Sequence, residues 1–522
     1  MKLQTTPPTK SDTSPDLKTL SPRPVSEAHE NREMHRVLPV PLPKKSSEER
    51  RNAAKASEHA PPQAPKHLEI TGLKSFPGID INQAGIRVVP PDTNGSVSQT
   101  MYVQTVNDAF AVFNKEDGTI LSGHTENGVF TPSPVDARSL WAGFGGGCES
   151  ANGGDPIVLY DKRADRWLVS QLGMPQGGPY SECIAISTSP DASSSYYRYE
   201  FQFKKDAGVS APSFNDYPKF GVWLDAYYAT FNMFENPDGG SFFGARLCAF
   251  DRTKMLLGQK ATMQCAQLPN TIGGVLPADI DGSAPPPAQS PGYFLSFGDD
   301  VLRLWQMHVD WNSENNSTLT GPRLISVEPF DYFCPSETSK IPKPCVVQPN
   351  TGQRLDSLSD RLMYRLAYRK FADHESLVVN HTVKAGNHSG IRWYEIRNPG
   401  SDATIYQSGT LNIDNSFRWM GSIAMDKAGN ILLGYTISDN KTFPSMKFVG
   451  RDSSDPLGAM SLEAEFQKGI GSQVINRWGD YSSMSVDPVD DCTFWFTSQY
   501  QEATGDRNWS TSVNKVKIAS CQ

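Results

Sequence analysis

The stretch RWGDY places a guanidinium (Arg477), a carboxylate (Asp480) and a phenol (Tyr481) side by side. Carboxylates close to one another raise each other's pKa, so that one can act as an acid beside a second acting as a base. Arginines bind anionic groups through two parallel hydrogen bonds, and aromatic rings stack on sugar faces. The same residue types return elsewhere. Asp92, Asp155, Asp216, Asp279 and Asp360 open comparable stretches, Arg361 and Arg418 lie beside two such openings, and Tyr217 follows its acid as Tyr481 does. A structural role competes with the chemical one: each Asp can cap a turn by accepting backbone N–H groups, and each Arg can pair with a neighbouring Asp.

Spacing identifies what must position these groups. An acidic residue, an apolar or alternating strand, a polar turn and an aromatic-rich strand recur from Asp92, Asp155, Asp216, Asp279, Asp360, Met420 and Asp480. Successive starts are 60 to 63 residues apart, except for one interval of 81 that holds a cysteine loop. One such unit is a small antiparallel sheet with unprotected edges, and is marginal alone. Units packed face to face around an axis remove that problem, so the expected fold is all-β, a seven-bladed β-propeller over residues 69–522. A pair of β-sandwiches fits a period near 60 less well. The first strand of each blade of a propeller lines the central channel, which directs the opening residues to its mouth. The sixth unit opens on Met420 without an acid, having lost it or using Arg418 instead.

Residues 1–68 are rich in Pro, Ser, Lys and Glu and nearly free of aromatics. Such a stretch buries too little apolar surface to offset its ordering entropy, and is expected to be a disordered arm. Within it, Ser46 and Glu49 have capping-box spacing for a transient helix over 46–60. No apolar signal segment is visible at the start, leaving either an export signal outside this numbering or a cytosolic protein. The eight cysteines favour the first. Cys148 with Cys183, Cys248 with Cys265, Cys334 with Cys345, and Cys492 with Cys521 form four local pairs with none left over, which suits an oxidising extracellular or periplasmic compartment better than eight buried thiols do. A net charge of −8 with no basic, aromatic-interleaved stripe argues against a nucleic-acid partner. A mean hydropathy of −0.46 without a long apolar run argues against a membrane-spanning helix.

Other motifs are weaker. His374, His381 and His388 recur at sevens and read as solvated loop residues rather than a metal cluster, and His308 reads as a core residue. The glycine-rich stretch Gly143–Asp155 reads as a flexible rim loop. Convergent Asp oxygens would suit a calcium ion in the channel, but no EF-hand-like loop specifies one, so neither metal nor cofactor is expected.

The stretches GDPIVLYDKRADRWLVSQ, NDYPKFGVWLDAYYATFN, RWMGSIAMDKAGNILLGY and RWGDYSSMSVDPVDDCTFW resemble a group of large, secreted bacterial proteins regarded as propeller-like and mostly without an assigned activity. That resemblance implies an extracellular bacterial protein and brings no reaction with it. More distantly, SVDPVDDCTFW resembles the Asp-box turn of sialidase-type propellers, with Ser485, Asp487 and Trp495 in its positions but no glycine. Sialidases use an arginine cluster, a tyrosine nucleophile and an aspartate acid/base, which Arg361, Arg418, Arg477 and Tyr481 would imitate. The expected function is action on a glycan, acidic in character, as a glycoside hydrolase or polysaccharide lyase. Asp155, Asp216, Asp360, Asp480 and Tyr481 would be catalytic, and Arg361, Arg418, Arg477 and Tyr217 would bind substrate. The alternative is a non-catalytic extracellular binding or adhesion scaffold.

Overall fold

The computed structural model describes residues 1–20, 38, 40–42, 68–83, 88–203, 213–334, 343–461 and 463–522. The helix expected over 46–60 falls outside them. The protein is all-β, and its strands sort into four-stranded antiparallel meanders. In one of these, Ile157–Asp161 pairs with Arg166–Gly173, which pairs with Ser181–Ser187 and then Tyr196–Gln202. The sequence explains the turn: Asp161 accepts the backbone N–H groups of Arg163 and Ala164, and Asp165 adopts the left-handed φ of 54° that Asp tolerates.

Among the described residues seven such meanders follow in chain order. Their first strands are Asn94–Val97, Ile157–Asp161, Phe214–Val222, Leu276–Asp281, Met363–Lys370, Phe417–Met425 and Ser483–Val486. Each first strand touches the next, and Ser483–Val486 returns to touch Asn94–Val97, so the order is cyclic and propeller-like. Leu276–Asp281 and Met363–Lys370 go further and pair in parallel, with Ala278 opposite Leu366. The last meander takes its fourth strand from Ile70–Pro77, far earlier in the chain, which pairs with Trp509–Ile518. Early and late segments thereby fasten one sheet, and Cys492–Cys521 braces it. All four expected cysteine pairs are disulfides.

The first twenty residues correct the reading of a disordered arm over 1–68. Gln4–Thr6 pairs with Met263–Gln267, and Lys10–Thr13 with Tyr196–Gln202, each adding a fifth strand to a sheet edge. Composition misjudged them because edge pairing is stabilised by main-chain hydrogen bonds and needs few apolar side chains. Leu3 and Leu17 supply the burial, and Asp12 pairs with the buried Arg198.

Nine of the ten tryptophans are fully buried between the sheets. The aromatic richness of the sequence therefore serves packing, and the rings available for a ligand are few. The glycine-rich stretch is not simply a loop: Gly146–Ser150 is a short helix tied by Cys148–Cys183 to the neighbouring strand. His381 is fully buried in the strand Glu375–Ala385, where it meets the Tyr394 hydroxyl, and His388 meets Asn412, so neither is a solvated loop residue. His308 ends its strand exposed, not in the core. Among the described residues no three His, Cys, Asp or Glu side chains are placed to hold a metal ion, and no helix is long and apolar enough to cross a membrane.

Candidate functional site

Strand pairing suggests a repeat position two residues before a paired residue near the start of each first strand, taken after the bulge in the third and sixth. Counting back from Asn94, Ile157, Lys219, Leu276, Met363, Ser422 and Ser483 gives Asp92, Asp155, Tyr217, Gly274, Arg361, Met420 and Tyr481. Five of these share a left-handed backbone, with φ of 46° at Asp92, 50° at Asp155, 57° at Tyr217, 58° at Gly274 and 50° at Met420. Asn107 Oδ1 accepts the N–H of Asp155 at 3.0 Å, as Asn232 Oδ1 accepts that of Gly274 at 3.0 Å. The expectation that Asp216, Asp360 and Asp480 are equivalent to Asp92 and Asp155 is therefore off by one residue. Bulges between Asp216 and Lys219, and between Trp419 and Ser422, obscure the count.

Asp279 is corrected further. It lies inside its strand, where it accepts the Val222 N–H and the Arg365 guanidinium. Gly274 holds its place in the repeat, because a Cβ there would come 2.6 Å from Arg361 Cβ. Asp92 and Asp155 show that a non-glycine residue adopts this backbone, so the obstacle at Gly274 is the contact rather than φ. Gly274→Ala should then lower stability by about 1–3 kcal/mol, the usual cost of overpacking, measured by urea denaturation; an unchanged midpoint would refute the assignment.

The ring residues meet one another. Tyr481 donates its hydroxyl to Asp155 Oδ2 at 2.8 Å, and its ring lies 5.4 Å from that of Tyr217. The Lys219 amine sits 2.9 Å from the Tyr481 ring centroid and 3.5 Å from that of Tyr217, fully buried and without a hydrogen bond to any described residue. Arg361 covers the Tyr217 ring, its guanidinium carbon 4.5 Å from the centroid. Behind the ring stand Asp360, which accepts two hydrogen bonds from Arg361, and Asp480, which accepts two from Arg477. Asp480 N–H in turn donates to Asp92 Oδ1 at 2.7 Å, and Asn107 Nδ2 to Asp92 Oδ2 at 2.8 Å.

Burial governs the electrostatics. It pushes Asp155 up to about 6, against the Lys219 charge that lowers it and with the Asp480 charge that adds to the rise. It pushes Asp216 to about 8, with Asp155 adding to the rise and Arg361 opposing it. Burial also holds Lys219 well below an ordinary lysine, against Asp155, and holds the Tyr481 hydroxyl well above an ordinary tyrosine, helped by Asp155. A carboxyl raised by burial and by the Asp155 charge thus belongs to the same site as a carboxylate hydrogen-bonded to a phenol.

Of the nine residues expected at the site, Asp155, Asp216, Asp360, Asp480, Tyr481, Arg361, Arg477 and Tyr217 gather here. Arg418 does not: it is buried among Glu463, Asp414 and the Ser416 carbonyl. Its strand bulges after Trp419, and Met420 takes the ring position. Sequence reasoning missed Lys219, although a lysine in the apolar run YPKFGVW is the available signal, and missed Asp356, which burial raises to about 6 near Arg477. The Asp-box resemblance proves structural: Asp487 accepts the Trp495 indole N–H at 3.1 Å and pairs with Lys115.

No family model and no curated protein matches the sequence. Among solved structures, the chain is similar to the Trypanosoma rangeli sialidase bound to the inhibitor DANA, with 12% identity over 70% of this chain and 54% of that one and a TM-score of 0.33. It is also similar to a Penicillium chrysogenum alpha-L-arabinanase complexed with arabinobiose, at 9% identity over 73% of this chain and 98% of that one, TM-score 0.33. A PL25 ulvan lyase bound to -[GlcA(1-4)Rha3S]- gives 11% identity over 85% and 94% of the two chains, TM-score 0.34. The chain spans about half the length of the sialidase, 54% of it.

Proposed function

We propose that the chain is a secreted seven-bladed propeller that cleaves an acidic glycan by acid–base chemistry at the ring where its first strands begin. The observation that carries this reading is the Tyr481–Asp155 hydrogen bond of 2.8 Å, with Asp216 near enough for burial and the Asp155 charge to raise its carboxyl. Asp155 takes the phenolic proton as the Tyr481 oxygen engages the substrate as base or nucleophile, while Asp216 gives its proton to the departing glycosidic oxygen. Arg361 and Arg477, held flat by Asp360 and Asp480, are the cations at the site for an anionic sugar group. In hydrolysis Tyr481 oxygen attacks the anomeric carbon, the glycosidic C–O bond breaks, and water later displaces the enzyme. In elimination Tyr481 takes the proton alpha to a uronate carboxylate, the arginines neutralise the developing charge, and the beta C–O bond breaks as Asp216 protonates its oxygen, leaving a double bond in the uronate. Four disulfides fit an oxidising compartment.

A second reading, a binding scaffold without catalysis, is favoured by the carboxylates that act as backbone caps. Asp92 accepts the Asp480 N–H, Asp279 that of Val222, and Asp360 that of Val40. A screen of the purified protein and Tyr481→Phe against uronic-acid, sialic-acid and neutral polysaccharides separates the two. Reducing ends report hydrolysis, and ultraviolet absorbance of unsaturated uronates reports elimination. Cleavage by the parent that falls at least ~100-fold in the folded variant supports the enzyme. Silence across the panel, with glycan retention on an affinity gel, supports the scaffold.

A further inference from the structure

The same site carries a second feature, and its meaning rests on the reading above. Leu38 and Val40 lie within the stretch expected to be disordered, yet they are 3% and 2% exposed. The Leu38 carbonyl accepts a hydrogen bond from Arg361 Nη2 at 3.0 Å, and the Val40 N–H donates to Asp360 Oδ2 at 3.3 Å. An adjacent Asp–Arg pair thus reads a carbonyl and an amide two residues apart, as in the recognition of an extended backbone. Side chains complete the seat: Leu38 packs among Leu172, Tyr180, Phe214 and Phe234. Gly273 keeps room for Val40, since a Cβ there would come 2.5 Å from Val40 Cγ1.

This contact consumes the groups that the proposed reaction needs. Asp360 occupies the Nε–Nη2 edge of the Arg361 guanidinium and the Leu38 carbonyl holds Nη2 on the other, so a substrate carboxylate cannot bridge Nη1 and Nη2 while the segment is seated. The chain on both sides of the segment is anchored, by Lys10–Thr13 on one sheet edge and Ile70–Pro77 in another sheet. Once lifted, the segment stays tethered and reseats at high effective concentration.

We propose that the segment carrying Leu38 and Val40 is an autoinhibitory strap: seated, these residues shield Arg361 from an anionic ligand, and lifted, they open it. Two variants of the full chain test this. Leu38→Asp puts a carboxylate into the apolar seat, and Val40→Pro deletes the amide that Asp360 accepts without adding charge. Phenylglyoxal labelling, mapped by peptide mass, reads the exposure of Arg361, while Arg365, buried on Asp279, Asp281 and the Met484 carbonyl, serves as the internal control for an intact fold. Sodium D-glucuronate, titrated by saturation-transfer NMR, reads ligand access. The expected result is a rise of at least tenfold in the Arg361 labelling rate in both variants, with Arg365 still protected and glucuronate bound more tightly than by the parent. An Arg361 rate equal to that of the parent in both folded variants overturns the strap. Faster labelling without glucuronate binding upholds the strap and counts against the acidic-glycan reading instead.

Discussion

Replacing Arg365 by methionine should cost the fold about 3–5 kcal/mol, the range for removing one partner of a buried ion pair. The side chain is 2% exposed and donates to Asp279 Oδ2 at 2.7 Å, to Asp281 Oδ1 at 2.7 Å and to the Met484 carbonyl at 2.6 Å. It therefore ties three first strands together, and with Ser96, Lys162 and Ser485 it lines a cavity of about 20 Å³, room for no more than a water molecule. Methionine matches the volume but leaves two carboxylates buried without their cation. Burial already holds Asp279 above an ordinary aspartate even with Arg365 in place. The triple variant Arg365→Met, Asp279→Asn, Asp281→Asn should recover most of the loss, because neutral amides cost far less to bury than ions. Urea denaturation at pH 7 measures both. A single variant within 1 kcal/mol of the parent, a margin typical of surface substitutions, would show that the pair contributes little to ring closure.

The contrast between Arg365 and Arg361 shows how far the sequence was legible. Both precede or enter the same strand, and only the fold separates a guanidinium sealed among strand carboxylates from one at the strand entrance. The repeat of strand, turn and strand was readable because hydrophobic alternation and turn residues are local signals. So were the cysteine pairs, each closing a short loop around a hairpin or strand end. Register was not readable to one residue. A bulge after Asp216 sets Tyr217 and Pro218 opposite the single residue Phe231, a one-residue insertion that no local signal marks, and this moves Tyr217 into the position that Asp92 and Asp155 occupy elsewhere. Gly274 was invisible for a different reason: its requirement comes from Arg361, 87 positions later in the numbering. The early strands were missed because sheet-edge pairing is a main-chain interaction, and composition reports side chains. Lys219 looked like an ordinary strand lysine, and its burial between two tyrosine rings depends on units far apart in the chain.

Asp216→Asn should abolish most turnover, by about 10²–10⁴-fold in kcat, the usual contribution of a positioned acid, and should change the pH profile in a diagnostic way. Asp155 must be ionised to take the Tyr481 proton, which sets an acid limb near its value of about 6. Asp216 must be protonated to serve the leaving oxygen, which sets an alkaline limb near its value of about 8. The pair interact, so these limbs belong to the coupled site, and activity should peak near neutrality. The asparagine variant should lose the alkaline limb and keep the acid one. Stability carries the same signature with its own sign. Both carboxyls have folded-state values above their unfolded ones, so the folded protein binds the extra protons. Their contribution to stability is fully present below pH 4, near the unfolded aspartate value, and is lost as pH rises through about 6 and then about 8. The depressed Lys219 works in the opposite sense, so the diagnostic is the difference: in urea titrations Asp216→Asn should lose less stability than the parent as pH rises from 5 to 9. A variant that is inactive yet keeps the parent's slope between pH 7 and pH 9 would mean that Asp216 is ionised at neutrality, and the role of acid would pass to another carboxyl of the ring.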